Sequence, residues 1–214
     1  MSHTLPWSYE LLDPRNPSRS TLHRLNSAYD CWHESWSAML EQLDGNALTH
    51  ADDFSRQHQI GALFHGDDCA GVSAFRWVDP SVPFNLEDSY FSPWPRPMLR
   101  RVLGGMTRVC IGSNLVVAPE FRGTIDGSRV SEMLLSLAVR RFHESDAQLM
   151  VGTMRNDRRM NDLSYRLGAR PILQGANHHN VEVDLVIFER SAAVSLDLPP
   201  IHFASSIVTQ GASS

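Results

Sequence analysis

Between Asn114 and Ser128 the chain reads Asn-Leu-Val-Val-Ala-Pro-Glu-Phe-Arg-Gly-Thr-Ile-Asp-Gly-Ser, a strand that runs through a glycine-bearing turn into a helix. Arg122, Gly123 and Gly127 lie in the turn, where successive backbone N–H groups can converge on one point while the helix N-terminus adds partial positive charge. Such a turn binds an anion. For proton transfer near neutral pH the strongest candidates are His178 and His179, since an unperturbed imidazole titrates at about pH 6.5. Neighbours on a strand face opposite sides, so at most one of the two can face a pocket. The plainer alternative is a pair of exposed hairpin-loop histidines among asparagines. Cys110 is a candidate nucleophile, but its apolar strand setting favours an inert buried thiol. Asp67-Asp68 reads as turn chemistry, and Glu120 points to solvent. His3, His23, His33, His50, His58, His65, His143 and His202 have no ligand spacing with a second donor on a shared helical face, so no metal is expected.

The elements that position these groups follow from local pattern. Leu115-Val116-Val117 is β-branched and ends at Pro119, which cannot donate to a ladder. From Val130 the positions Met133, Leu134, Leu137, Ala138 and Phe142 keep helical spacing, with a start expected near Ser128. Upstream, Ser8 to Leu12 reads as a first strand. A long helix then runs from Ser20 until Asp44-Gly45-Asn46 stops it. Its Trp32 and Trp36 share one face, either as core packing, the commoner use, or as a wall for an acyl chain. Ile60 to Phe64, the turn at Gly66-Asp67-Asp68 and Ala70 to Val78 form a hairpin. Pro80 to Pro97 is too proline-broken for regular structure and too aromatic for a solvated linker, which leaves an ordered loop over a pocket or a surface excursion on its own aromatics. Met98 to Leu103 adds a short helix, and Arg108 to Val117 is the central strand. Gln148 to Val151 is its parallel neighbour, Arg158 to Leu167 a helix capped by Gly168, and Ile172-Leu173 with Val181 to Phe188 a closing hairpin around Gln174 to Asn180.

The 214 residues, 42% of them hydrophobic, can bury a full core in one domain. That domain is expected over 1–192, with 193–214 as a loosely docked or disordered tail. A formal charge of -5 gives no basic field for nucleic acid, although Arg155, Arg158 and Arg159 form a local patch. Cys31, Cys69 and Cys110 show no paired spacing, which fits a reduced cytoplasm. No run approaches the ~18 apolar residues of a membrane span, and Met-Ser-His-Thr-Leu-Pro-Trp lacks the basic and apolar regions of a leader. A soluble, cytoplasmic protein is the expectation. Nothing in the sequence fixes its oligomeric state.

Leu115-Val-Val-Ala-Pro-Glu-Phe-Arg-Gly-Thr-Ile-Asp-Gly-Ser-Arg-Val resembles the acyl-thioester-binding signature of the GNAT acyltransferase superfamily, Arg/Gln-x-x-Gly-x-Gly/Ala after a strand ending near a proline. Arg122 takes the Arg/Gln place and Gly127 that of the last glycine, while Ile125 stands where the middle glycine is expected. The resemblance covers roughly residues 55 to 190, and the element order agrees with it. It implies an α+β GNAT fold, with a central mixed sheet of about six to seven strands flanked by about four helices. It implies further that the backbone of Leu115, Val116 and Val117 bonds a pantetheine arm. The loop from Arg122 through Gly123, Thr124 and Gly127 to Ser128 then holds the coenzyme A pyrophosphate, and amides near Val116 and Val117 stabilise the oxyanion. The strand carboxylate common in the family is missing. Leu163-Ser-Tyr-Arg-Leu-Gly-Ala169 is similar to the family's Leu-Tyr-Glu-Lys-Leu-Gly-Phe segment, so Ser164 occupies the register of the tyrosine general acid and Tyr165 follows one place late.

Asp52-Asp-Phe-Ser, Gly71-Val-Ser-Ala-Phe-Arg76 and Ser113-Asn-Leu-Val-Val-Ala-Pro119 are similar to the branch holding N-acyl amino acid synthases and acyl-homoserine lactone synthases, with Asn114 in place of an arginine. Three functions follow from these likenesses. The first is transfer of an acyl group from acetyl-CoA or a longer acyl-CoA to the amine of a small molecule. The second is an N-acyl amino acid or signal synthase that draws on acyl-phosphopantetheine of an acyl carrier protein, docked on Arg122, Arg155, Arg158 or Arg159. The third is a thioester-binding module that has lost its chemistry. Ser164, Tyr165 and His178 are the catalytic candidates, and no metal is implied.

Overall fold

The structure, a computed structural model, describes residues 7–45, 49–125, 128–190 and 201–204; for Asp44, Ile125, Ser128 and 202–204 only the backbone is described. The chain runs β1 (Trp7–Leu12), α1 (Leu22–Asp44), α2 (Ala51–Ser55), β2 (Gln59–His65), β3 (Asp68–Val78), two 3-10 turns (Pro83–Glu87, Ser89–Phe91) and α3 (Arg96–Leu103). It continues through β4 (Val109–Val117), a 3-10 turn (Pro119–Phe121), β5 (Thr124–Ile125), β6 (Ser128–Arg129), α4 (Val130–Glu144), β7 (Leu149–Arg155), α5 (Met160–Arg166), β8 (Arg170–His178), β9 (Val181–Glu189) and β10 (His202–Ala204). The main sheet has the order β10-β1-β2-β3-β4-β7-β9-β8. Among the described strands of this sheet only β10 on β1 and β4 on β7 pair in parallel.

Period-two alternation divides the core. Cys110, Met150, Val186 and Phe188 pack with Leu135, Val139 and Phe142 of α4 and Leu163 of α5. Their neighbours Val109, Ile111, Leu149, Val151 and Ile187 pack with Phe91, Trp94, Leu99 and Leu103. The proline-aromatic stretch is therefore an ordered cover, with Phe91 and Trp94 buried and Phe84 left exposed. Pro97 lies in the first turn of α3, where a missing N–H costs nothing. Trp32 is buried in the core, and α1 ends at Gly45, whose φ of 65° supplies the left-handed cap.

Two expectations need correcting. Helix α4 starts at Val130, two residues later than expected, because Ser128 and Arg129 pair with Ile125 and Thr124 in a small antiparallel ladder. Strand β8 continues to His178, so the closing turn is only His179-Asn180, both left-handed with φ of 51° and 57°. The sheet is the expected mixed sheet, and among the described residues 202–204 add an eighth strand at its edge, on β1. Residues 193–200 and 205–214 of the expected tail lie outside the described residues.

Gly71 shows how tightly the strands beneath α4 pack. A Cβ there would lie 2.5 Å from the Val116 carbonyl oxygen and 2.6 Å from Leu134 Cδ1. Gly71→Ala is expected to cost about 1–3 kcal/mol by overpacking. The check is a lowered denaturant midpoint at unchanged m-value.

Candidate active site

Strands β4 and β7 pair as Val109↔Leu149, Cys110↔Met150 and Ile111↔Val151, and there their ladder stops. Both strands go on: β4 stays paired with β3 as far as Val117, and β7 with β9 as far as Arg155. A parallel pair has thus been forced apart, and the edges of residues 112–117 and 152–155 face a gap with their ladder groups unpaired across it. An extended ligand carrying amides satisfies such an edge as an added strand does. A β-bulge reinforces the opening. Asn114 and Leu115 together oppose Ser73, and Asn114 takes a left-handed φ of 53°.

Tyr90 stands at the fork. Its hydroxyl lies 3.3 Å from the Gly112 carbonyl oxygen and 3.5 Å from that of Val151, and Thr153 Oγ1 donates to it at 3.5 Å. Burial pushes the phenol pKa up, so it stays a neutral donor. The gap opens into a cavity of about 800 Å³. Trp36, Met39 and Leu43 of α1 line it, as do Arg56 and Gln57 near α2, Ser73 to Arg76 of β3, Gly112 to Val117 of β4, Val130 and Ser131 of α4, and Met150, Val151, Thr153 and Met154 of β7.

Leu115, Val116, Val117, Arg122 and Gly123 line this cavity. Arg122 is exposed, its Nε donating to the Val117 carbonyl at 3.3 Å, and Gly123 has φ 118°, a conformation that favours glycine. Among the described residues no side chain caps the first turn of α4, a terminus that favours an anion. Thr124 is not among the lining residues. Gly127 lies outside the described residues, as do the side chains of Ile125 and Ser128.

No protein-family model and no curated protein sequence matches the chain. Solved structures do. FeeM, an N-acyl amino acid synthase from uncultured soil microbes, aligns at TM-score 0.62 and 12% identity over 89% of this chain and 93% of that one. BjaI, a CoA-dependent acyl-homoserine lactone synthase solved with SAM and isopentyl-CoA, aligns at TM-score 0.58 and 14% identity over 86% and 83%. An agmatine N-acetyltransferase mutant aligns at TM-score 0.55 and 11% identity over 85% and 99%. The fold is the GNAT fold. At these identities the likeness extends to the fold alone.

Two of the expected catalytic residues of this GNAT fold are absent from the cavity lining. Ser164 is fully buried, and its Oγ donates to the Asn161 carbonyl at 2.8 Å within α5. Tyr165 donates to Asp184 Oδ2 at 2.5 Å, and burial followed by that bond raises its pKa. Asp184, 2% exposed, also accepts from Asn161 Nδ2 (3.0 Å), Asn156 Nδ2 (3.1 Å) and the Gly175 N–H (2.9 Å). Burial pushes its carboxyl up, but these four donors outweigh it and the pKa is lowered. The shifted tyrosine is therefore half of a structural lock between α5 and the β8–β9 hairpin. The Gly175 N–H reaches Asp184 because residues 174 and 175 bulge out of the β8–β9 register.

His178 and His179 both line the cavity, which corrects the expectation that only one can. Strand alternation does not apply, since His179 is a left-handed turn residue. Cys110 has its thiol pKa pushed up to about 12 by burial, as suits an inert core cysteine. Among the described residues no group of three or more His, Cys, Asp or Glu is placed to hold a metal ion, and no helix is long and apolar enough to cross a membrane. Sequence reasoning missed Tyr90, Arg56, Gln57 and Arg76 as site residues. Only the aromatic character of Pro80 to Pro97 hinted at the first of them.

Proposed function

We propose that the protein is an N-acyltransferase that moves an acyl group from an acyl-CoA thioester to the amine of a small molecule. The observation carrying this reading is the gap between β4 and β7, bounded at one end by Arg122, Gly123 and the uncapped α4 terminus and at the other by the Tyr90 fork. From Gly112 to Val117 the strand spans about 17 Å. A pantetheine arm with its two secondary amides matches that edge, its phosphate end at the loop and its thioester at the fork. Amine nitrogen attacks the thioester carbonyl carbon, the C–S bond breaks, and the products are an amide and a thiol. A thioester is already activated, so positioning and the strand amides near Val116 and Val117 supply most of the acceleration. His178, which lines the cavity, is assigned the amine proton.

Calorimetry with acetyl-CoA and longer acyl-CoAs tests the donor. No binding at high micromolar concentration overturns the reading, and tight binding without thiol release over a panel of amines favours the non-catalytic module. Arg122→Ala is expected to weaken donor binding roughly tenfold by loss of a charge-assisted contact. His178→Ala is expected to lower kcat by about 10²-fold or more at unchanged donor affinity, measured by thiol release.

A carrier-bound donor is the second reading, favoured by the apolar volume beside Trp36, Met39 and Leu43, which suits a chain longer than acetyl. The basic patch it calls on is largely neutralised. Arg155 and Arg158 share Asp157, at 2.6 and 3.7 Å, and Arg159 pairs with Asp162 at 3.0 Å. Parallel assays with acyl-CoA and acylated carrier separate the two donors.

A further inference from the structure

Tyr90 reaches both strands where they part, and the lengths of its contacts show how its one proton is held. The carbonyl oxygens of Gly112 on β4 and Val151 on β7 lie 3.3 and 3.5 Å from the hydroxyl oxygen. An O–H···O bond is ordinarily about 2.7–2.8 Å long, so neither carbonyl holds the proton firmly. Thr153 Oγ1 donates to the same oxygen at 3.5 Å. On its accepting side the hydroxyl therefore has a donor already, and its proton is what it offers a ligand in the cavity that Tyr90 lines.

The ring itself is fixed in place. Tyr90 sits in the 3-10 turn Ser89–Phe91, whose capping residue Asp88 accepts the Tyr90 N–H at 2.9 Å. The same carboxylate oxygen pairs with Arg76 Nη2 at 2.5 Å, both side chains mostly buried. A buried ion pair adds little stability of its own; this one ties the turn to β3 and so sets where Tyr90 stands. Phe91, which is buried, meets the Tyr90 ring edge-on at 5.4 Å and packs in turn on Trp94. A donor held in this way needs no reorganisation when charge develops beside it.

We propose that Tyr90 is a catalytic residue, its hydroxyl donating to the thioester carbonyl oxygen at the fork and stabilising the oxyanion that forms there. The inference rests on the acyltransferase reading for the place of the thioester. As the amine nitrogen bonds to the carbonyl carbon, the π pair moves onto oxygen. When the C–S bond breaks, that pair re-forms the carbonyl, and the bonding pair leaves with sulfur, which takes the proton lost by nitrogen. Burial raises the phenol pKa, so Tyr90 keeps its own proton throughout and acts through the hydrogen bond alone. The amides near Val116 and Val117 are too far up the strand for this task. Four residues of extended strand, ~13 Å, separate Gly112 from Val116, so those amides grip the arm and thereby position the thioester. Tyr165 is committed to Asp184.

The test reads the bond itself. Acetyl-CoA isotopically labelled at the thioester carbonyl is bound to the native protein and to Tyr90→Phe, and the carbonyl stretch is followed by difference infrared spectroscopy. The stretch should lie at lower frequency in the native protein. In Tyr90→Phe, kcat for thiol release, to an amine or to water, should fall about 10²- to 10³-fold, the loss expected for one oxyanion donor. Affinity for acetyl-CoA should stay within about threefold, since the bond strengthens only as charge develops. A ring-fluorinated tyrosine in place of Tyr90 has nearly the same shape and a more acidic hydroxyl, so it should restore turnover and lower the stretch further. Equal stretches in the native protein and Tyr90→Phe, or a kcat changed by less than about threefold, overturn the inference while the acyltransferase reading stands. A fall in kcat matched by an equal fall in affinity makes Tyr90 a wedge between the strands and overturns it as well, as does bound acyl-CoA with no thiol release. No binding of any acyl-CoA overturns the acyltransferase reading and this inference with it.

Discussion

Asp184→Ala is expected to cost about 3–5 kcal/mol, because it strands four donors that now converge on one buried carboxylate. For a domain of this size that lowers Tm by about 10 °C. Asp184→Asn keeps the shape but turns an amide donor toward one of the existing donors, so a smaller loss is expected. The pH dependence has a definite sign. The folded carboxyl has its pKa lowered below the ordinary 3.8, so its contribution is fully present above about pH 5 and is lost as pH falls through the folded value. The stability gap between native protein and Asp184→Asn should therefore be flat from neutral pH to about pH 5 and shrink below pH 4. A gap that widens on acidification would contradict a lowered pKa, and a change of under about 1 kcal/mol for Asp184→Ala would mean that the donors find other partners. Thermal melts across that range decide both points.

That lock also explains a limit of sequence reasoning. Tyr165 stands one place beyond the family register, and on a helix one residue turns a side chain by about 100°. Sequence shows the shift but not its destination, because Asp184 and Gly175 come from a hairpin in which Gln174 and Gly175 read as part of the closing turn and not as a bulge opposite Asp184. The elements themselves were legible. Alternation gave β2 and β3, helical spacing gave α1 and α4, and Gly45 and Gly168 marked helix ends through their left-handed backbone. Helix α2 was not legible, since five residues are too few for a periodic signal, and it delivers Arg56 and Gln57 to the cavity.

The candidate site was half legible for a related reason. Glycines and a strand ending at a proline announce a donor loop, because their chemistry is local. Arg76, Asp88 and Tyr90 acquire meaning only when β3 and the 3-10 turns are brought together. The fork between β4 and β7 is likewise a property of pairing, and no residue type encodes where a ladder stops. Gly112 is the nearest thing to a marker, and in sequence it is one glycine inside an apolar strand.

Gly112→Leu is accordingly expected to abolish function while sparing the fold. A Cβ at Gly112 would lie 3.1 Å from Met150 Sδ and 3.7 Å from the Val151 carbonyl oxygen, so the side chain would project across the mouth of the fork. The nearest atom belongs to a flexible methionine, and the backbone there is not left-handed, so the stability cost should stay under about 2 kcal/mol. The four carbons of leucine would fill the space where the thioester and the first carbons of its acyl group must lie. Thiol release should fall at least about 100-fold, and affinity for acyl-CoA should fall more than affinity for free coenzyme A, which ends before the fork. Gly112→Ala should lie between. If Gly112→Leu folds and turns over like the native protein, the thioester does not reach the fork, and the assignment of the β4 edge to the donor arm fails with it.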